Sequence, residues 1–261
     1  MNTQFQSTDE QKLFIQSEGG GPNLVMLHGW GMHGGIWDSV APQLAQRFRL
    51  HRIDLPGHGF SQALPLHSLE SLTASIALHV PANSIVCGWS LGGQIALTLA
   101  RDWPACVSQL VLVATTPCFT RKTDWSWGMA AATLQLFKEN LDRQYLQTLQ
   151  RFLALQVRGG IDQAPVLAQL HERLLQRGQP APQALQAGLH ILLTSDLRAA
   201  LPHITQPVML IHGENDVITP VNAARWMQQQ LPRTQFKPVA HCGHAPFLSY
   251  PEFFVECFND L

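Results

Sequence analysis

Charge is scarce in this chain: 13% of its 261 residues are Asp, Glu, Lys or Arg, and no run of like charge occurs. The formal balance of 17 basic against 18 acidic side chains gives −1, which leaves no electrostatic footprint for nucleic acid or a membrane surface. Cysteine is sparse as well. Cys87, Cys106, Cys118, Cys242 and Cys257 form no CxxC pair and are odd in number, which argues against a disulfide framework or a structural zinc and points to a reducing cytoplasm. No apolar run approaches the length a bilayer requires, and the opening Met1 to Glu10 lacks the basic start and apolar centre of a secretion signal. Internal repeats and low-complexity tracts are missing. What remains is a chain with 46% hydrophobic residues, enough to bury a large core as one α/β domain carrying an insertion.

The organising stretch runs from Ser84 to Gly93, where strand-like Ser84-Ile85-Val86-Cys87 meets Gly88-Trp89-Ser90-Leu91-Gly92-Gly93 and then a helical pattern from Gln94 to Ala100. A strand-to-helix elbow brings the residues flanking its apex so close that only glycine fits, and it lifts the apical serine out of the backbone. Short apolar runs at Asn23–Leu27, Phe48–Asp54, Ser84–Cys87, Leu110–Ala114, Pro207–His212 and Thr234–Lys237 predict strands. Helical patterns near 38–46, 68–79 and 94–100, a helix opening near Pro220 and a closing one at Pro251–Phe258 alternate with them. Such alternation predicts a mostly parallel sheet with helices on both faces, its chemistry in loops beyond the carboxyl ends of the strands. Between residues 119 and 198 strand runs give way to helical spacings, as in Leu134, Phe137, Leu141, Tyr145, Leu149 and Phe152. We therefore expect a core of residues 1–118 and 199–261 and an inserted helical lid of 119–198, broken at Gly159-Gly160 and Pro180-Ala181-Pro182. The segment 118–200 carries an excess of three positive charges, against four negative elsewhere.

A serine becomes a nucleophile only when a base takes its proton and a carboxylate holds that base in the right tautomer. The chain supplies Ser90, Asp216 and His244 in the order nucleophile, acid, histidine, the last two each in a loop after a predicted strand. Asp216 is preferred to Glu214 because it stands farther from the strand end, and His244 to His241 for its Gly243-His244-Ala245-Pro246 context. His241, His33, His58 and His212 are expected to be loop or packing histidines, and a His241-Cys242-His244 metal site lacks further ligands. Oxyanion donors are expected from the backbone N–H groups of Leu91 and Trp30. Trp89 and Phe152 suit pocket walls and core packing equally well.

These strings identify a resemblance. His28-Gly29-Trp30-Gly31, Asp54-Leu55-Pro56-Gly57-His58-Gly59, the Gly88–Gly93 elbow, Asp216 and His244 resemble the α/β-hydrolase superfamily over nearly the full length. Pro117-Cys118-Phe119, Arg151 to Gln156, Asp196-Leu197-Arg198 and His244-Ala245-Pro246-Phe247 resemble, more narrowly, the carboxylesterases that demethylate pimeloyl-carrier protein in biotin biosynthesis. The resemblance implies an α/β-hydrolase fold and a serine esterase with no cofactor and no metal. By the same carry-over Trp30, Ser90, Leu91, Phe152, Leu153, Ala154, Leu155, Gln156 and His244 contact the substrate. Its partner would be an acidic acyl-carrier protein, which arginines of the lid bind in that family. Arg151 stands at a matching place, with Arg158 as a further candidate beside Arg143, Arg173 and Arg177, while Gln147 and Gln150 fall where basic residues would have helped. A monomer is expected. Alternatives on the same scaffold are a broad short-chain carboxylesterase, a carbon–carbon bond hydrolase or haloperoxidase-like relative, and a non-catalytic ligand-binding homologue.

Overall fold

The computed structural model describes residues 13–65, 67–161 and 163–261. Met1 to Glu10, read above for a secretion signal, lie outside the described residues, as does the side chain of Tyr145. Strands β1 (Ile15–Glu18), β2 (Asn23–Leu27), β3 (Arg49–Ile53), β4 (Ser84–Trp89), β5 (Val107–Val113), β6 (Val208–Gly213) and β7 (Thr234–Val239) form one sheet. Its order is β1-β3-β2-β4-β5-β6-β7. Only β1 runs antiparallel, paired with β3 at the edge; the other neighbours are parallel. All of β4 and β6 and residues 110–113 of β5 are buried, as central parallel strands covered on both faces must be. The edge strand β1 had no signal in the sequence, because it is only half-buried and lacks an apolar run.

The helices are α1 (Ala41–Leu44), α2 (Leu69–Ala77), α3 (Leu91–Asp102), α4 (Ala131–Arg143), α5 (Tyr145–Val157), α6 (Gln163–Gln176), α7 (Pro182–Thr194), α8 (Val221–Gln230), α9 (Pro246–Ser249) and α10 (Pro251–Cys257). Helix α2 opens on a reciprocal cap, with the Ser68 hydroxyl accepting from the Ser71 amide at 3.1 Å and Ser71 answering. Helix α3 is buried along Leu91–Ala100, its polar Gln94 and Thr98 side chains donating to the carbonyls of Thr116 and Gln94. The helix expected over 38–46 shrinks to a short 3-10 turn at Gly34–Trp37 followed by α1.

Helices α4 to α7 all lie between β5 and β6. Breaks were expected at Gly159-Gly160 and Pro180-Ala181-Pro182, and the chain breaks at Gln144 as well, which leaves helical geometry at φ −142 and ψ 57. No glycine or proline marks that break. Ahead of α4 the chain forms isolated bridges, Thr120 with Met129 and Lys122 with Trp125. Trp125 packs edge-on against Trp226 of α8 at 5.0 Å between ring centroids, closing a small satellite core with Cys118 and Ala223. The Asp196-Leu197-Arg198 string ties this corner down: Arg198 pairs with Asp196 at 2.8 Å and Asp124 at 3.0 Å, and Lys122 pairs with Asp196 at 2.7 Å. Among the described residues no helix is long and apolar enough to cross a membrane.

Candidate active site

Ser90 follows β4 directly and opens α3 with φ 55 and ψ −115. That backbone is costly for a residue with a side chain, and it persists only where neighbours hold it. They do so by contact. A Cβ at Gly88 would stand 2.2 Å from the Gly92 carbonyl oxygen, and one at Gly92 would stand 2.4 Å from that of Leu27. The Thr115 hydroxyl donates to the Ser90 carbonyl at 2.6 Å. Ser90 keeps 8% of its surface exposed, at the carboxyl edge of the sheet.

The chain just after β5 splices this elbow to the acid loop. Thr115 holds Ser90, while the Thr219 hydroxyl of the acid loop lies 3.1 Å from the carbonyl of its neighbour Ala114. Asp216 lies in that loop, beyond β6, and His244 lies beyond β7. His244 Nδ1 and Asp216 Oδ2 are 2.7 Å apart, both side chains buried. Asp216 Oδ1 accepts the backbone amides of Ile218 and Thr219 at 2.8 and 3.0 Å. Burial pushes the Asp216 carboxyl up, but the charge and hydrogen bond of His244, with His212 and the Thr219 amide, outweigh it and hold the group below its usual value. The pair is therefore an imidazole oriented by a carboxylate, with Nε2 left facing away. Neither His244 Nε2 nor Ser90 Oγ has a hydrogen-bond partner among the described residues. Ser90 Oγ turns on a single torsion, and nucleophile–base bonds are often loose until substrate arrives.

Glu214 and His241, the neighbours weighed against these two, stand elsewhere. Glu214 is exposed and faces Arg225 at 3.5 Å, and His241 uses its carbonyl to accept the Ile161 amide at 3.2 Å. His212, expected as a packing residue, is instead part of the acid's surroundings, with Nε2 3.5 Å from Asp216 Oδ2. His33 and His58 are buried packing residues beside His28. Among the described residues no cluster of three or more His, Cys, Asp or Glu side chains suits a metal ion.

The two backbone donors expected for an oxyanion start from suitable places. Leu91 is the first residue of α3, where amides lack an intrahelical acceptor, and Trp30 follows β2 next to Gly29, whose Cβ position lies 3.2 Å from Ser90 Cβ. The Trp30 indole reaches up to α7, donating to the Leu185 carbonyl at 2.9 Å, and stacks edge-on against Phe152 and Phe137. These rings line an apolar cavity of about 240 Å³ between α4, α5 and α7, closed by Phe119, Leu155, Leu189 and Leu192 and reaching Asn140 and Arg151.

Of the segment carried over as substrate-binding, Phe152 and Leu155 line this cavity. Leu153 is core, Ala154 is exposed, and Gln156 is buried with both side-chain amide atoms unpaired. The Gln156 carbonyl accepts the His244 amide at 2.8 Å. Trp89, for which a wall and a packing role were equally open, is fully buried against Phe247 and donates its indole N–H to the His244 carbonyl at 2.8 Å. Arg151, Arg158 and Arg143 are exposed. Arg173 and Arg177 are not free: they pair with Asp38 at 2.8 Å and with the buried Asp54 at 2.9 Å.

A parallel sheet in this order, with a glycine-bracketed serine after the central strand and acid and histidine beyond later ones, defines an α/β hydrolase. The model of the alpha/beta hydrolase family matches residues 24–257, and the chain belongs to that family. Within it, the chain is 60% identical over 249 residues to a protein of Nitrosomonas europaea named pimeloyl-[acyl-carrier protein] methyl ester esterase, covering 95% of this chain and 99% of that one. It is 48% identical to the protein of the same name from Nitrosospira multiformis, over 93% and 95% of the two chains. Among solved structures, the esterase EaEST of Exiguobacterium antarcticum superposes with a TM-score of 0.88 at 24% identity, covering 100% and 98%. A bromoperoxidase of Bacillus anthracis does so with 0.86 at 19%, covering 95% and 94%. Those two likenesses show the fold.

Proposed function

We propose that this chain is a serine carboxylesterase that hydrolyses the methyl ester of pimeloyl-[acyl-carrier protein], releasing methanol and the free carboxylate of the carrier-bound acid in biotin biosynthesis. The substrate comes from the relatives, which carry that name at up to 60% identity over nearly the whole chain. The chemistry rests on one observation: His244 Nδ1 sits 2.7 Å from a buried carboxylate while its Nε2 is unpaired, and its ring lies 5.6 Å from that of Trp89, the residue before the strained Ser90.

In this scheme His244 Nε2 takes the proton of Ser90 Oγ as that oxygen attacks the ester carbonyl. The amides of Trp30 and Leu91 receive the oxyanion. The tetrahedral adduct collapses, methoxide leaves with the proton held on Nε2 as methanol, and an acyl-Ser90 ester remains. Water, deprotonated by the same nitrogen, cleaves that ester and restores the serine. Asp216 keeps its charge throughout and stabilises the imidazolium. The helices of 119–198 act as a lid, and the seven-carbon acyl chain lies in the apolar cavity behind Trp30. The thioester end leads out past Arg151, with the acidic carrier docking on Arg151 and Arg158.

Ser90→Ala tests the scheme: the fold is expected to persist, judged by circular dichroism, and hydrolysis of the carrier-bound methyl ester to vanish. A variant that keeps substantial turnover overturns the nucleophile assignment. For the substrate, restored growth of an esterase-deficient biotin auxotroph in biotin-free medium is the expected outcome.

A further inference from the structure

The acid of the proposed triad is surrounded by more chemistry than the scheme uses. Thr219 is 1% exposed and touches Asp216 in two ways and His212 in a third. Its backbone amide donates to Oδ1 at 3.0 Å, its hydroxyl donates to Oδ2 at 2.7 Å, and its carbonyl accepts from His212 Nε2 at 2.6 Å. A carbonyl only accepts, so Nε2 of His212 carries the proton and pins the turn from Asp216 to Thr219 against the end of β6. The Thr219 hydroxyl has one proton and two acceptors in reach, Asp216 Oδ2 and the Ala114 carbonyl at 3.1 Å. The shorter, charge-assisted bond takes it. Asp216 Oδ2 then receives two donors at 2.7 Å, His244 Nδ1 and Thr219 Oγ1.

We propose that Thr219, anchored by His212, is a positioning residue that holds Asp216 Oδ2 as a carboxylate turned toward His244. Two donors on one oxygen lower its appetite for a proton, so the proton shared with His244 stays on the imidazole. The inference rests on the serine-esterase scheme and adds to it. Nothing in the sequence pointed to either residue, since threonine and histidine here match no motif.

The ionisable groups facing Asp216 and His244 are His212 at the end of β6 and Cys242 on the histidine's own loop. Burial lowers His212 despite the nearby Asp216 charge, and burial pushes the Cys242 thiol up to about 12.

The test is the pH dependence of kcat/KM for dimethyl pimelate in Thr219→Val, Thr219→Ser and His212→Gln. Losing the hydroxyl takes one of two donors from Oδ2 and leaves that oxygen, the partner of His244, more basic. In Thr219→Val the acidic limb is expected to move up by about half a pH unit, with kcat falling on the order of tenfold, the worth of one hydrogen bond to a charged group. Thr219→Ser restores both to within about twofold, and His212→Gln, which keeps a donor for the Thr219 carbonyl, leaves the limb in place. Should the valine variant not fold, Thr219→Ala is assayed in its stead. An unmoved limb with reduced kcat, a limb abolished in His212→Gln, or no rescue by serine overturns the proposal. A Ser90→Ala enzyme that still hydrolyses dimethyl pimelate overturns the esterase scheme itself, so the two failures are distinct.

Discussion

The indole N–H of Trp89 and the backbone carbonyl of His244, 155 positions apart, meet at 2.8 Å. The residue before the serine thus holds the loop of the proposed base, and the two ring centroids lie 5.6 Å apart. Trp89→Phe keeps most of the packing on Phe247 but leaves a buried carbonyl unpaired, at a cost of about 1–3 kcal/mol. We expect a lower melting temperature and a several-fold fall in kcat on a small methyl ester. Calorimetry and steady-state kinetics on one preparation check both.

Gly188 of α7 leaves room for Trp30. A Cβ there would come within 2.6 Å of the indole Cδ1, and the indole is pinned by its bond to Leu185, so it has little freedom to yield. Gly188→Ala is expected to shift the 28–31 loop and lower kcat/KM by roughly a hundredfold, the scale at which a misplacement of about 1 Å is felt. The far-ultraviolet circular dichroism should match the parent.

Arg177 joins α6's end to the core. Its guanidinium pairs with Asp54, bonds Gln16, and lies over the rings of Phe14 and Phe60 at 5.1 and 5.6 Å. Arg177→Met leaves the buried Asp54 carboxylate to the amides of Gly34 and Phe60, without its guanidinium. A loss of about 3 kcal/mol is expected, the lower end for breaking a buried pair, and with it a fall of roughly 6–12 °C in Tm. Arg177→Lys should recover part of it.

Stability should also fall in mild acid. Burial lowers the His58 imidazole to about 4, whereas an unfolded histidine titrates near 6.5. Between those values the unfolded chain binds the extra proton, so stability present above pH 6.5 is lost as pH falls toward 4. Between pH 7.5 and 5.0 this one site accounts for about 2 kcal/mol. His58→Gln should therefore show a shallower decline than the parent in urea unfolding at the two pH values.

Carrier docking is an electrostatic claim about exposed arginines. Replacing Arg151 and Arg158 together by Gln is expected to lower kcat/KM for the carrier-bound ester about tenfold at low ionic strength and to leave a small methyl ester within twofold. Added salt should erase the difference. Equal salt dependence for both substrates would remove the docking surface.

Much of this molecule was legible before any coordinates. Contiguous apolar runs revealed the central strands, because a strand buried on both faces must be apolar throughout. The Gly88–Gly93 elbow was legible because its glycines answer to neighbours a few positions away, Gly88 to Gly92. The order of Ser90, Asp216 and His244 follows from strand order in a parallel sheet, whose loops emerge on one side. The break at Gln144 was not legible, since no glycine or proline there forbids helix. Neither were Trp89 as the tether of His244, nor Thr219 and His212 around Asp216. The Trp89 tether spans 155 positions, whereas Thr219 and His212 stand within a few positions of Asp216 but match no motif, and the residue types involved serve equally well as filling. Local sequence determined where the chemistry-bearing groups stand along the chain, because turns, runs and spacing act over a few residues. Which neighbours orient those groups, and which arginines the core consumes, only the closed tertiary structure decided, because a side chain's partners are set by what folds against it.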